Sequence, residues 1–323
     1  MIRSFFLFLL LSANAAEPAA LPSWNDTAAK SAILTFVHEV SDPGSPHFVP
    51  PPERIAVFDN DGTLWAEQPM YVQLFFALDR IRELAPQHPQ WNEQEPFASV
   101  LKGDLKGGLA GGEKAISELI MASHAGMSTD EFDRLAADWL AKARHPETGR
   151  LFTDMAYQPM LELMDYLRAH GFEVYIVSGG GVDLIRSFSQ KVYGVPPEKV
   201  IGSSLKTRWD DSAETPRIMR LPELDFIDDR EGKPLAIQRV IGRRPLMAFG
   251  NSDGDRQMFQ WTTAGPGRRL ALIVHHTGAE GEWAYDRESK IGKLDKALDE
   301  AEQKGWIILD MKKDWKKLYV GVE

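Results

Sequence analysis

The chain of 323 residues predicts an α/β fold: a Rossmann-like, mostly parallel sheet with helices on both faces, interrupted by an inserted helical unit. Three observations carry this reading. From residue 157 onward, short apolar runs alternate with amphipathic helical stretches, the pattern of a sheet covered on both sides. Residues 69–150 instead repeat apolar residues at i, i+3 and i+4, with no strand pattern among them. Polar clusters also follow three of the apolar runs, where sheets of this kind bind their ligands.

The elements follow in order. Arg3, the apolar run "SFFLFLLLSA" and the small-residue pattern "ANAA" predict a signal peptide over residues 1–16, cut near Ala15 or Ala16. The run falls short of the roughly 20 apolar residues a spanning helix needs. No later window approaches a span, so the mature chain is expected to be exported, periplasmic or secreted, with no membrane span. The sequence has no cysteine, which excludes disulfides and thiolate metal sites. A formal charge of −10 without a basic block speaks against a nucleic-acid partner, which needs clustered Lys and Arg. A small anion needs only one or two local cations and stays admissible.

"TAAKSAILTFVHEV" has helical spacing, "SDPGSPHFVPPPE" is a proline-rich loop, and "RIAVF" reads as a buried strand. The core is expected over residues 17–68 and 151–323, with a helical cap over 69–150. Within that insert, "MYVQLFFALDRIREL" and "TDEFDRLAADWLAKAR" are helices and the glycine-rich "KGDLKGGLAGGEKA" is a flexible joint. "PMLELMDYLRAHG" is a helix closed by glycine. "FEVYIVSGGG" is a strand running into glycines, followed by the helix "VDLIRSFSQKVYG". "KVIGSSL", "LPELDFID", "PLMAFG" and "LALIVHH" read as strands. The tail, 278–323, carries a charged helix in "IGKLDKALDEAEQKG" and a possible last strand in "WIILDMKKDW"; no function is assigned to it.

Four clusters carry chemistry. In "FDNDGTL", Asp59 and Asp61 stand two apart on an extended segment, so both carboxylates can face one reacting group. Acids so close repel unless a cation or a shared proton compensates. A magnesium ion with oxygen ligands is the natural solution, although an isolated pair could also be a turn. The second cluster is Ser178 with Gly179 and the glycines after it, a hydroxyl and backbone N–H groups at a strand end, suited to an anion or to a capped turn. Lys233 begins a predicted helix, and Asn251, Ser252, Asp253 and Asp255 crowd another strand end.

In this order the four clusters resemble the haloacid dehalogenase superfamily, in the phosphoserine-phosphatase-like branch with a helical cap between the first and second motifs. The resemblance covers roughly residues 50–68 and 150–276. It implies an Mg2+-dependent phosphatase acting on a small phosphorylated substrate, which the predicted leader would make an exported one. Asp59 would be the nucleophile that becomes an aspartyl-phosphate, and Asp61 the general acid and base. Ser178, Gly179 and Lys233 would hold the phosphoryl oxygens. Metal ligands would come from Asp59, Asp61 and the fourth motif, where Asp253 and Asp255 rank first as charged donors and Asn251 follows. An acid at position 61 favours phosphate esters over haloacids. A phosphotransferase or pyrophosphatase of the same superfamily, and a non-catalytic protein that binds a phosphorylated ligand, are the alternatives. Two departures stand out: Asn251 replaces an aspartate common in the family, and Gln68 occupies the place of the glutamate that holds the substrate amine in phosphoserine phosphatases, with Glu67 one residue early.

Other features are set aside. "GGLAGGEK" lacks the order of a phosphate-binding loop and suits a cap hinge or substrate loop. Lys102 and Lys106 beside it read as solvated, and His275 and His276 lack a third histidine for a metal. Trp65 and Met70 would either wall the pocket or pack the cap junction.

Overall fold

The computed structural model describes residues 20–321, so the leader predicted over 1–16 lies outside the described residues. Helix α1 (Ala28–Ser41) leads through the proline-rich loop into strand β1 (Ile55–Phe58). The insert follows, with helices α2 (Val72–Leu84), α3 (Phe97–Leu101), α4 (Leu105–Gly108), α5 (Glu113–His124) and α6 (Thr129–Leu140). The core resumes with α7 (Gln158–Ala169), β2 (Glu173–Gly181), α8 (Val182–Tyr193), β3 (Val200–Asp210) and β4 (Arg217–Phe226). It ends with α9 (Gly232–Val240), β5 (Met247–Gly250), α10 (Arg256–Thr263), β6 (Leu270–Thr277), β7 (Ala284–Tyr285), α11 (Lys296–Lys304), β8 (Ile307–Asp310) and α12 (Met311–Asp314). Among the described residues no helix is long and apolar enough to cross a membrane.

The strand order is β4-β3-β2-β1-β5-β6-β7, with β8 also paired to β6. Neighbours run parallel from β3 to β6 and between β6 and β8. Side chains of successive strand residues point to opposite faces. Ala56 and Phe58 therefore join one apolar cluster with Met247, Phe249 and Leu272, while Ile55 and Val57 join another with Ala248, Ala271 and Ile273. Both faces are covered, as predicted. Phe58 stacks on Phe249 with centroids 4.3 Å apart, tying β1 to β5 immediately below the first aspartate.

Strand β1 has β2 on one side and β5 on the other, so the order of the chain reverses there. In open α/β sheets such a reversal opens a crevice at the carboxyl ends of the strands. The elements after β3 differ from a simple alternation. No helix separates β3 from β4, so the return is antiparallel and the two form a long hairpin. Parallel pairing would have needed a crossover. The hairpin reaches the insert, where Gly126 N donates to Arg220 O and Arg220 N to Met127 O.

The insert packs in two ways. Leu74, Leu78, Ile81, Trp91, Val100 and Leu119 form a small cluster of their own, whereas Phe132, Ala136 and Leu140 of α6 join the main core. The capping box at Ser128 and Glu131 starts α6 as its sequence specifies. The glycine-rich stretch predicted as a joint contains the turn α4, capped by Asp104 accepting from Gly107 N at 2.9 Å.

Candidate active site

The ladder of β1 continues one residue past the strand, where Asp59 N donates to Phe249 O at 2.8 Å. The chain then turns sharply. Asn60 O accepts from Leu64 N at 2.8 Å, and Gly62 adopts φ +71°. Glycine is required at 62, because a Cβ there would run into Asn251 Nδ2 and Glu67 Oε1 as well as strain the backbone. Thr63 Oγ1 donates to Asn251 Oδ1 at 3.1 Å, which joins the first cluster to the fourth.

Lys233 stands in the first turn of α9 and is only 2% exposed. Its Nζ donates to Asp59 Oδ1 at 2.7 Å, Asp255 Oδ1 at 2.5 Å and Val177 O at 2.9 Å. All three protons are thus committed. Burial alone would lower this ammonium, but Asp255 and Asp59 outweigh it and hold it above its ordinary value. Burial pushes Asp59 well above the usual carboxylate range, and Asp255 adds to that while Lys233 opposes it. Asp61 is also raised, by burial. Trp65 Nε1 donates to Asp61 Oδ1 at 2.8 Å and opposes the rise, while its ring stacks on Phe188 at 4.6 Å.

At the end of β2, Ser178 is fully buried and its Oγ accepts from Gly180 N at 3.1 Å. Gly181 N donates to Gln73 Oε1 from α2 at 2.7 Å. Two amides of the glycine run are therefore satisfied by side chains, one of them from the insert. A Cβ at Gly180 would lie 3.5 Å from Asp61 Oδ2, so this loop stands directly against the second aspartate.

A cavity of about 1210 Å³ opens over these groups, lined by Asp59, Asp61, Ser178, Gly179 and Lys233 among others. Its outer wall comes from α5, through Ile116, Ile120 and Met121, and from the hairpin, through Leu205, Leu224 and Phe226. Arg220 of the hairpin is buried, donates Nε–H to His124 O at 2.8 Å, pairs with Asp183 and lies 4.0 Å over the Phe132 ring. That residue locks hairpin, insert and core together.

The fourth cluster divides. Asp255 Oδ2 accepts from Asn251 N at 3.0 Å and Ser252 N at 3.1 Å, so both its oxygens are occupied, one by Lys233 and one by its own loop. Asp253 Oδ1 accepts from Asp295 N at 3.0 Å and Ala297 N at 2.9 Å and anchors the start of α11. Asn251 is buried, with Nδ2 donating to Glu67 Oε1 at 2.6 Å.

Glu67, Gln73 and Trp65 escaped the list of site residues drawn from the sequence. Glu67 lines the cavity, while Gln68 turns away and donates to Ile291 O at 3.1 Å. A carboxylate eight residues past Asp59 was the available signal. Trp65 and Met70 are buried and do not line the cavity, so both pack, and Trp65 also orients Asp61. His276 is buried, lowered to about 3 by that burial, and bonds Gly62 O at 2.7 Å; it props the loop that carries the two aspartates. Lys102 and Lys106 lie away from the cavity, which Lys114 of "GGEK" lines instead.

Among the described residues, no three acidic or histidine side chains meet so as to hold a metal by themselves. Magnesium rarely asks for that, since it keeps several waters and takes one or two carboxylates. The donor set here suits it. Asp59 and Asp255 pair with the one buried ammonium, Lys233, while Asp61 and Glu67, both raised by burial, pair with no lysine or arginine among the described residues, which leaves an excess of acid that a divalent cation would neutralise.

Among solved structures the chain is similar to a conserved protein of unknown function from Anaerococcus prevotii DSM 20548, at 19% identity, covering 85% of this chain and 88% of that one with a TM-score of 0.55. A protein of unknown function from Bordetella pertussis Tohama I matches at 15% identity over 80% and 99% of the two chains, TM-score 0.48. A phosphoserine phosphohydrolase-like protein from Francisella tularensis subsp. tularensis SCHU S4 matches at 17% over 68% and 87%, TM-score 0.37. No curated protein matches the chain in sequence. Residues 56–260, from β1 through the fourth cluster, match the family described as haloacid dehalogenase-like hydrolase, and the chain belongs to that family.

Proposed function

We propose that this hydrolase is a magnesium-dependent phosphomonoesterase working through an aspartyl-phosphate, exported after removal of its leader. The observation that carries the reading is the convergence of two aspartates, a buried serine hydroxyl and one buried lysine on the floor of a single cavity. Phosphoryl transfer asks mainly for positioning and charge neutralisation, and this floor offers both.

A carboxylate oxygen of Asp59 attacks phosphorus while the ester P–O bond breaks. Asp61, raised by burial and so able to hold a proton, gives it to the departing oxygen. Asp61 then takes a proton from water, the water oxygen attacks phosphorus, and the bond to Asp59 breaks to release inorganic phosphate. Lys233 opposes the rise of Asp59 and balances the transferring group, and Ser178 Oγ–H donates to a phosphoryl oxygen. Asp59, the backbone carbonyl of Asp61 and the Asn251 side chain are the residues proposed to hold Mg2+. Bound there, the ion would neutralise charge developing on the phosphoryl oxygens. Asp255 serves to hold Lys233, and Asp253 to hold α11.

The helices of 69–150 act as the cap that sets substrate choice. With α5 and the hairpin supplying an apolar wall, the substrate is proposed to be a phosphomonoester with an apolar body. Hydrolysis of p-nitrophenyl phosphate with Mg2+, with EDTA and with Asp59→Asn tests the reading. Metal-dependent turnover lost in the variant is expected; turnover equal in wild type and variant would overturn it.

A further inference from the structure

Asn251 is a neutral donor, so a cation held by Asp59 and Asn251 would meet less negative charge than the buried acids nearby can supply. Beside the amide, on the lining of the cavity, stands Glu67, 2% exposed. Its Oε1 accepts from Asn251 Nδ2 at 2.6 Å and from Tyr285 Oη at 2.8 Å. Among the described residues no lysine or arginine pairs with it, and a buried carboxylate without a cation is costly. Yet the chain goes to some length to keep this one in place. Gly62 and Gly292, both at positive φ, leave room where a Cβ would run into Glu67 Oε1, and Gly292 belongs to the tail for which the sequence suggested no role.

We propose that Glu67 is the remote charge of the metal site: accepting from Asn251, it polarises the amide so that Oδ1 binds Mg2+ more as a carboxylate oxygen would, while Tyr285 and Gly292 hold Glu67 in register. An acceptor on the amide N–H strengthens the opposite oxygen as a donor, the way outer carboxylates tune metal-bound histidines, and a bound divalent cation would favour the charged form of Glu67 against the burial that raises it. The C-terminal segment thereby becomes part of the metal site without touching the ion. This rests on the magnesium reading above.

The test is Mn2+ affinity of the full chain, by calorimetry or electron paramagnetic resonance, for wild type, Glu67→Gln, Tyr285→Phe, Asn251→Asp and Glu67→Gln with Asn251→Asp. Glu67→Gln is expected to weaken Mn2+ by about 10- to 100-fold, the range for loss of an outer-shell partner. Tyr285→Phe should weaken it by a smaller factor. The double variant, which moves the charge from position 67 to 251, should bind within a few-fold of wild type, although Asn251→Asp alone sets two carboxylates in contact and should melt lower in EDTA. A merely structural Glu67 would show no such rescue. Melting in EDTA adds a second readout: Glu67→Gln should melt no lower than wild type there, but lose most of the rise that Mn2+ produces. Unchanged Mn2+ affinity in Glu67→Gln, or no recovery in the double variant, overturns the role of Glu67 alone. If Glu67→Gln does not fold, the double variant and Tyr285→Phe decide on the same criteria. A wild type that turns over substrate without binding Mn2+ overturns the magnesium reading and this role with it.

Discussion

The floor and the wall of the cavity are built on opposite principles. On the floor, at the ends of β1, β2 and β5, the polar groups are tied to one another by directed bonds: Lys233 spends its three protons, Asp255 both its oxygens, and Asp61 receives Trp65. On the wall, Ile116, Ile120, Met121, Leu205, Leu224 and Phe226 present apolar surface with no directed bond toward a ligand. Leu224, Ile227 and Leu235 at the rim remain exposed. The difference separates two tasks. Moving a phosphoryl group requires charges fixed to a fraction of an ångström, which rigid strand ends provide. Choosing a substrate body requires shape and apolar area, which an insert and a hairpin can vary without disturbing the chemistry.

The comparison can be broken in several places. Asp59→Asn removes the charge of the proposed attacking oxygen and should lower kcat by roughly 10⁴-fold or more while substrate still binds, as measured by steady-state kinetics beside calorimetry. Binding lost together with turnover would mean the floor also does the work assigned to the wall. Lys233→Met takes the ammonium from between two buried carboxylates. It should cost about 3–5 kcal/mol of stability by denaturant unfolding and about 10²-fold in kcat, and an unaffected unfolding midpoint would count against the buried pair.

Ile120→Ala opens the wall without touching a charge. For a phosphomonoester with a bulky apolar body, kcat/KM should fall about tenfold, with little change for a small ester. Equal losses on both substrates would erase the division between floor and wall. Trp65→Phe is subtler: the stack on Phe188 can persist while the bond to Asp61 Oδ1 is lost. That bond opposes the rise of Asp61, so its loss should raise Asp61 further. Asp61 acts as an acid only when protonated, so the alkaline limb of the kcat profile should move to higher pH. A shift to lower pH would contradict the assignment.

The smallest effect concerns Asp228, fully buried between hairpin and α9 with neither carboxylate oxygen hydrogen-bonded. Burial pushes it from 3.8 to about 7. Over that interval the native chain keeps a proton that the unfolded chain has released, so this group's contribution makes stability fall as pH rises. Asp228→Asn should flatten the decline in melting temperature over that range, and a steeper decline would show the sign to be wrong.

Much of this was legible in the sequence, for a physical reason that differs from element to element. Strand β1 and its aspartates could be read because a continuous apolar run and the D-x-D-G-T turn behind it are local properties of about ten consecutive residues. The helix α6 could be read from its i, i+3, i+4 apolar repeat, and α7 from the glycine that closes its stretch, Gly171 at positive φ. The hairpin of β3 and β4 could be seen as two strands but not as a wall, because pairing direction depends on what the chain does between them. Glu67 was visible as an acid, yet its orientation was set by Tyr285, 218 residues away.

The sequence by itself determined the α/β class, the helical insert between the first two motifs and the residue types at the strand ends, since these follow from periodicity and from chemistry at fixed spacing. Only the tertiary structure decided which acid does what. Asp253 and Asp255 are equal as carboxylates in the chain, but one caps α11 and the other holds Lys233, because hydrogen bonds to distant backbone and side chains claim their oxygens first. That claim is a matter of proximity between segments far apart in sequence, and folding alone establishes it.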